Sequence, residues 1–251
     1  MAKWYDELLE GERDTFQQAV ILPNVTRILD IHSGTRVLDI GCGQGFFSRH
    51  FAASGGQVFG VDIAAELIAL AKKKPVPPYQ KGSLNFAVAP AERLPSLILP
   101  HSIDVATMIL CIQNIEQVAA AFHECARVLT PNGRLVIVMN HPAFRVPKAT
   151  TWGWDEAQLC EYRRVDRYLS EATIKIDMHP GERSTSYTTS FHRSLQWYMK
   201  SFAKAGFCVT RLEEWISHRP GPRGRKFVAT ERARKEIPLF LCIEVRPYHA
   251  F

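Results

Sequence analysis

Nowhere among the 251 residues is there an apolar run near the ~20 positions that a membrane-spanning helix needs, so no bilayer span is expected. The six cysteines, Cys42, Cys111, Cys125, Cys160, Cys208 and Cys242, include no C-x-x-C pair, which leaves a zinc knuckle or a thioredoxin-like centre without support. The nine histidines are scattered and show no H-x-x-x-H pair, so no metal site is expected. No internal repeat or low-complexity tract is present. The opening stretch, MAKWYDELLEGERD, is acidic and carries no apolar core of a secretory signal. Free thiols in a reducing, cytoplasmic setting are the expectation.

What is present is an ordinary globular composition, 46% hydrophobic and 22% charged. A chain of this size buries a substantial core without disulfide or metal staples. The net charge of +6 is modest and suits solubility, while admitting RNA, anionic lipid or acidic small molecules as partners. The charge is uneven, being concentrated in HRPGPRGRKFVATERARK from His218 to Lys235.

Hydrophobic periodicity alternates between strand-like and helix-like segments. Residues 1–30 read as a helical cap interrupted at Pro23. Strands follow at 36–40, 57–63, 84–89, 102–111 and 133–140, with helices at 46–55, 64–74 and 116–129 between them. Such βαβ alternation predicts a parallel sheet with helices on both faces. A polar and aromatic stretch, 141–190, breaks the rhythm. A helix at 192–207 and strands at 208–216 and 238–246 then close the chain. The expected fold is α/β, a Rossmann-like, seven-stranded, mostly parallel sheet whose last two strands form a hairpin. The chain reads as one domain over 1–251, with 141–190 as a lid insertion after strand five and 217–237 as a basic loop.

The strongest local signal is VLDIGCGQG, Val37 to Gly45, where a buried strand runs through Gly41, Gly43 and Gly45 into a helix. Glycines let a ligand approach the backbone, and the following helix directs free N–H groups and its positive end at it. Dinucleotide enzymes prefer G-x-G-x-x-G, which admits a pyrophosphate. Here Phe46 occupies the place of the final glycine, and Asp39 inside the strand would repel a diphosphate but suit an ammonium group. Asp62, 21 residues after Gly41 at the end of the second strand, can accept both hydroxyls of a ribose. A ligand with a ribose, a positive amino group and no diphosphate fits this set, and S-adenosylmethionine is such a ligand.

VLDIGCGQG, the GVD end of strand two, AERLP (91–95) and RVLTPNGRLVIV (127–138) resemble the class I methyltransferases, especially the small-molecule type of quinone biosynthesis. The resemblance covers roughly residues 30–140, and more weakly 192–246. It implies an S-adenosylmethionine-dependent methyltransferase. Asp39, Gly41, Cys42, Gly43 and Gly45 would then line the methionine part of the cofactor. Asp62 would hold the ribose and Ile63 would pack on adenine. Ala91 and Glu92 would lie beside the adenine edge, and Leu110 and Gln113 near the sulfonium. The chain departs from the family at Pro90, where an acidic residue often meets the adenine amino group, and at Gln113-Asn114, where relatives often carry two histidines.

Acceptor groups are expected beyond the ends of strands four and five, in the insertion and in the N-terminal helix. His141, directly after strand five, is the candidate base; the competing reading is a histidine that orients the turn before Pro142. EYRRVDRYL (161–169) has helical spacing, which sets Tyr162 and Asp166 four apart on one face, either as a base or as part of a salt-bridged surface helix. Trp152 and Trp154 either stack on a planar acceptor or pack within the lid, and Trp4 and Tyr5 either fold over the cofactor or join the core. His179 and His192 are weaker candidates. The basic loop reads as an anionic-substrate clamp, an RNA contact or a mobile, solvated loop, the last being favoured. The partner expected is a small-molecule acceptor, with the chain a monomer or homodimer. The alternatives are an RNA-modifying methyltransferase and a non-catalytic S-adenosylmethionine-binding protein.

Overall fold

The computed structural model describes residues 14–74, 81–177 and 187–248. Trp4, Tyr5, His179 and most of the proline-rich loop after Lys74 lie outside them. The first described helix begins with a π-turn, Gln17–Ile21, and continues as α1, Leu22–Leu29. Pro23 does not interrupt it: proline sits at the junction of the π-turn and α1, where the wider bonding of the preceding turn, with Leu22 N–H reaching the Gln17 carbonyl, replaces the regular ladder.

From there β and α elements alternate: β1 (Arg36–Ile40), α2 (Phe46–Ala53), β2 (Gln57–Asp62), α3 (Ala65–Lys73), β3 (Ser83–Val88), β4 (Ile103–Ile109), α4 (Val118–Val128) and β5 (Leu129–Asn140). The central sheet has seven strands in the order β10-β11-β5-β4-β1-β2-β3, where β10 is Phe207–Trp215 and β11 is Phe240–Pro247. β11 runs antiparallel to both β5 and β10, and the pairings among β3, β2, β1, β4 and β5 are all parallel. The expected α/β architecture with its terminal hairpin is the one observed.

Side-chain alternation divides each strand between two cores. On one face Leu38 and Ile40 meet Met108, Leu135, Ile137 and Ile243 under α4 and α5 (Leu195–Lys204), with Phe122 and Phe202 in contact at 4.7 Å between ring centroids. On the other, Val37, Val105, Val136 and Val138 pack under α1 and α2, with Val25, Leu29 and Phe51. Asp39 falls on this second face by the same alternation, which sends its carboxyl into the protein toward α2.

Two parts of the chain differ from expectation. The segment 161–169 is not helical: β7 (Cys160–Val165) pairs antiparallel with β6 (Thr150–Asp155). Tyr162 and Asp166 therefore share no helix face. Exposure along β7 alternates with period two, but its inward residues include Glu161 and Arg163, so the strand has no apolar face to announce it. A second hairpin pairs β8 (Ala172–Asp177) with β9 (Tyr187–His192).

The basic segment also holds α6, Phe227–Glu236, rather than only a solvated loop. Only Thr230 and Ala233 of α6 are buried, so its sequence carries little apolar signal. Lys226 at its N-cap lies 4.1 Å from the Trp154 ring centre. Phe122→Ala should lower stability by about 3–5 kcal/mol through the cavity it leaves, read as an earlier urea midpoint; an unchanged midpoint would contradict its place at the centre of the core.

Candidate active site

β1 and β4 are neighbours from which the chain departs in opposite directions along the sheet, and ligand sites in such sheets form beyond the carboxyl ends at this switch point. A cleft of about 920 Å³ opens there. Gly41, Gly43, Asp62, Ile63, Ala91, Glu92 and Leu110 line it, so seven of the eleven residues assigned to the cofactor by resemblance share one cavity.

The loop after β1 is shaped by backbone contacts that a side chain would obstruct. A Cβ on Gly41 would lie 2.5 Å from Cys111 Cβ, so the turn closes only with glycine. Gly43, at φ +56°, has nothing within 4 Å of the place its Cβ would occupy, which leaves open space on the cleft side of the loop. Asp62 sets the other wall. Its Oδ2 accepts the Gly43 N–H at 2.9 Å and its Oδ1 accepts the Ala64 N–H at 2.8 Å. One carboxylate thus joins the glycine loop to the start of α3. It keeps further acceptor capacity, because an ionised carboxylate offers about four lone-pair sites.

Asp39 plays a different part from the one expected. It is 2% exposed and does not line the cleft. Ser48 of α2 donates to its Oδ2 at 2.5 Å and Thr107 of β4 donates to its Oδ1 at 2.8 Å. Burial pushes its carboxyl up to about 6 against the pull of these two hydroxyls, and the charge of Asp62 adds to the rise. The residue ties β1, α2 and β4 together beneath the glycine loop. Cys42 and Gly45 likewise support the loop without lining the cleft, and Gly45 is the residue before α2. Burial pushes the thiols of Cys42 and Cys111 far up, so neither is a thiolate nucleophile at neutral pH.

Gln113 turns away from the cleft: its Nε2 donates to the Leu110 carbonyl at 2.7 Å, and its side chain lines a separate small cavity. Asn114, its neighbour, lines the cleft instead and donates to the Thr189 carbonyl at 2.9 Å. This bond brings β9 over the site, where Thr188, Thr189 and Phe191 form part of the wall. The sequence offers no signal for those three, because their position follows from hairpin pairing and not from a motif. Cys111 and Glu116, also in the wall, follow β4 closely and could have been found from strand position alone.

The three residues read as catalytic lie outside the cleft. His141 is 4% exposed; its Nδ1 accepts the Ala143 N–H at 3.2 Å, which places the proton on Nε2, 2.7 Å from Glu214. Burial lowers its pKa against the opposing pull of Glu214. That geometry is the one a turn-orienting histidine adopts. Tyr162 lies across Gly153 on the exposed side of β7, and Asp166 pairs with Arg164 at 3.1 Å on the surface. Among the described residues, no group of three or more His, Cys, Asp or Glu side chains could hold a metal ion. Among them, no helix is long and apolar enough to cross a membrane.

Residues 38–137 match the family of the methyltransferase domain. Over 176 residues the chain is 25% identical to the malonyl-[acyl-carrier protein] O-methyltransferase of Pectobacterium atrosepticum, covering 70% of this chain and 62% of that one. It is 32% identical over 118 residues to the ubiquinone biosynthesis O-methyltransferase of Xanthomonas oryzae pv. oryzae, covering 47% and 48%. The chain thus spans less than two thirds of these relatives' length. Its fold is similar to that of an S-adenosylmethionine-dependent methyltransferase from Mesorhizobium loti, with a TM-score of 0.69, 24% identity and coverage of 92% and 98%. At that identity the likeness is one of fold.

The Asp39 geometry has a consequence for stability. A carboxyl whose folded pKa is raised favours the fold while protonated, below about pH 4, and loses that contribution as pH rises through about 6. From pH 4 to pH 7 the wild type should lose about 2 kcal/mol relative to Asp39→Asn, measured by urea unfolding of both proteins. Parallel pH profiles would show that Asp39 is not buried as described.

Proposed function

We propose that the chain, whose residues 38–137 match the methyltransferase-domain family, is an S-adenosylmethionine-dependent methyltransferase acting on a small molecule at oxygen or nitrogen. The observation that carries this reading is the cleft at the switch point, where Asp62 and the open side of Gly43 face one cavity. The ribose hydroxyls donate to Asp62. Ile63, 73% exposed at the cleft edge, covers one face of the adenine. Ala91 and Glu92 meet its edge, while Gly41, Gly43 and Leu110 border the methionine part. Asp39, Cys42 and Gly45 hold the loop in shape from behind.

The cofactor supplies an already activated methyl group on a sulfonium. The chain's work is then to align the acceptor and to exclude water. The described residues of the 141–190 insertion serve as the lid, with β9 as the element nearest the cleft, within one methyltransferase domain. A small acceptor is supported by the ubiquinone-biosynthesis relative. An RNA substrate draws less support, because the basic segment is partly engaged: Arg219 donates to the Asp14 carbonyl at 2.7 Å and Lys226 lies against Trp154. All six cysteines are free, which suits the cytoplasm as its location.

Transfer is tested by incubating the protein with methyl-labelled S-adenosylmethionine and fractionated cell extract. Label should appear in a small-molecule fraction. Label confined to RNA would refute the small-molecule reading, and cofactor binding without any label would favour a non-catalytic binder. Asp62→Ala should weaken S-adenosylmethionine binding by about tenfold or more, since hydrogen bonds to a charged group contribute about 1.5–3 kcal/mol. Unchanged affinity in a variant with a native circular dichroism spectrum would contradict the ribose assignment.

A further inference from the structure

Next to the cofactor cleft, at the carboxyl end of β5, lies a second cavity of about 40 Å³. Gln113, Asn140, Arg145, Arg193 and Tyr198 line it, and Phe191 borders both cavities. The volume exceeds the ~10–15 Å³ one water needs, and it suits a functional group but not a whole acceptor.

The polar atoms here are left open in a consistent way. Among the described residues, Arg145 Nε and Arg193 Nη1 are buried donors without a hydrogen-bond partner, and Gln113 Oε1 is a buried acceptor without one. The Gln113 amide cannot be exchanged end for end, because its Nε2 already donates to the Leu110 carbonyl. Arg193 is 5% exposed and fixed in place: one guanidinium nitrogen donates to the Glu116 carbonyl at 2.6 Å, and the group stacks on Phe191 and Trp197. Arg145 has no side-chain hydrogen bond or ion pair among the described residues. Burial lowers its pKa to about 10, and the charges acting on it are the guanidiniums of Arg163 and Arg234, which both repel it. A half-exposed guanidinium beside like charge, with its Nε sealed and no acid near it, is better satisfied when an anion completes the site.

We propose that this cavity holds a carboxylate of the methyl acceptor, with Arg145 and Arg193 donating to its oxygens and Gln113 accepting from an O–H or N–H on the same molecule. The inference rests on the proposed function, because it assigns the cavity to the acceptor of that reaction. It narrows the substrate class to small carboxylic acids that carry a hydrogen-bond donor. Two guanidinium donors suit a carboxylate, whose planar pair of oxygens matches the arginine fork. The cavity opens beside the cleft, so an acceptor anchored there by its carboxylate can extend past Phe191 toward the cofactor.

The test uses the full chain without added cofactor, observed by NMR at the arginine Nε–H signals. Signals are assigned with Arg145→Met and Arg193→Lys. Acetate is the probe, acetamide its neutral isostere and inorganic phosphate a third arm, all at ionic strength fixed with chloride. The expected result is a saturable shift of the Arg145 and Arg193 signals with acetate and none with acetamide. Arg145→Met should weaken acetate binding at least about tenfold. No saturable shift, an equal shift with acetamide, or a shift with phosphate alone would overturn the proposal; the first is the result if only water fills the cavity. S-adenosylmethionine binding is measured by calorimetry on the same sample. Cofactor binding without an acetate response sinks the carboxylate site alone, whereas an acetate response without cofactor binding sinks the proposed function and, with it, the assignment of the cavity to a methyl acceptor.

Discussion

Two backbone N–H groups, from Gly43 and Ala64, converge on the carboxylate of Asp62. The rest of the site depends on this convergence. It fixes the glycine loop after β1 against the start of α3, and so sets the width of the cleft between them. A residue at the end of β2 reaches both groups because β1 and β2 are paired in parallel register from Arg36 opposite Gln57 to Ile40 opposite Val61. Asp39 supports the same loop from inside the protein, tying α2 and β4 to β1 through Ser48 and Thr107. Two aspartates near one loop thus have separate duties, and burial separates them: Asp39 is sealed and raised in pKa, while Asp62 faces the cleft.

Charge is divided between the two cavities in the same spirit. The larger cleft has Asp62, Glu66, Glu92 and Glu116 along its wall, and a cationic sulfonium with an amino group suits such surroundings. The smaller cavity beyond Phe191 presents Arg145 and Arg193 and has no acidic residue in its lining. An acid lined up between them would meet a positive grip at one end and the activated methyl group at the other. That arrangement orients an acceptor without a strong base, which accords with the burial of His141 in a turn.

The sheet, its helices and the floor of the cleft were legible because each obeys a local rule. Strand alternation, the glycines of VLDIGCGQG and the position of Asp62 are all set by short-range chemistry. The direction of Asp39 was legible in principle, since the alternation that buries Val37 sends Asp39 to the same side. Residues 160–165 form a strand where the spacing suggests a helix, because Glu161 and Arg163 face inward on β7 and charges at strand spacing can mimic the spacing of a helix. The basic segment hid α6 for a related reason, as its buried residues are only Thr230 and Ala233. Arg145 and Arg193 escaped notice because neither belongs to a motif. They line one cavity only when β9 folds back onto the turn at 112–114, a contact between residues far apart in the chain.

The central claim is that the glycine loop and Asp62 form a site for a nucleoside with a charged amino-acid arm and no diphosphate. Calorimetric titration of the wild-type chain with S-adenosylmethionine, beside NAD under the same conditions, tests it most directly. One-to-one micromolar binding of S-adenosylmethionine and no detectable binding of NAD is the expected result. Binding of NAD, or of neither ligand, would contradict it.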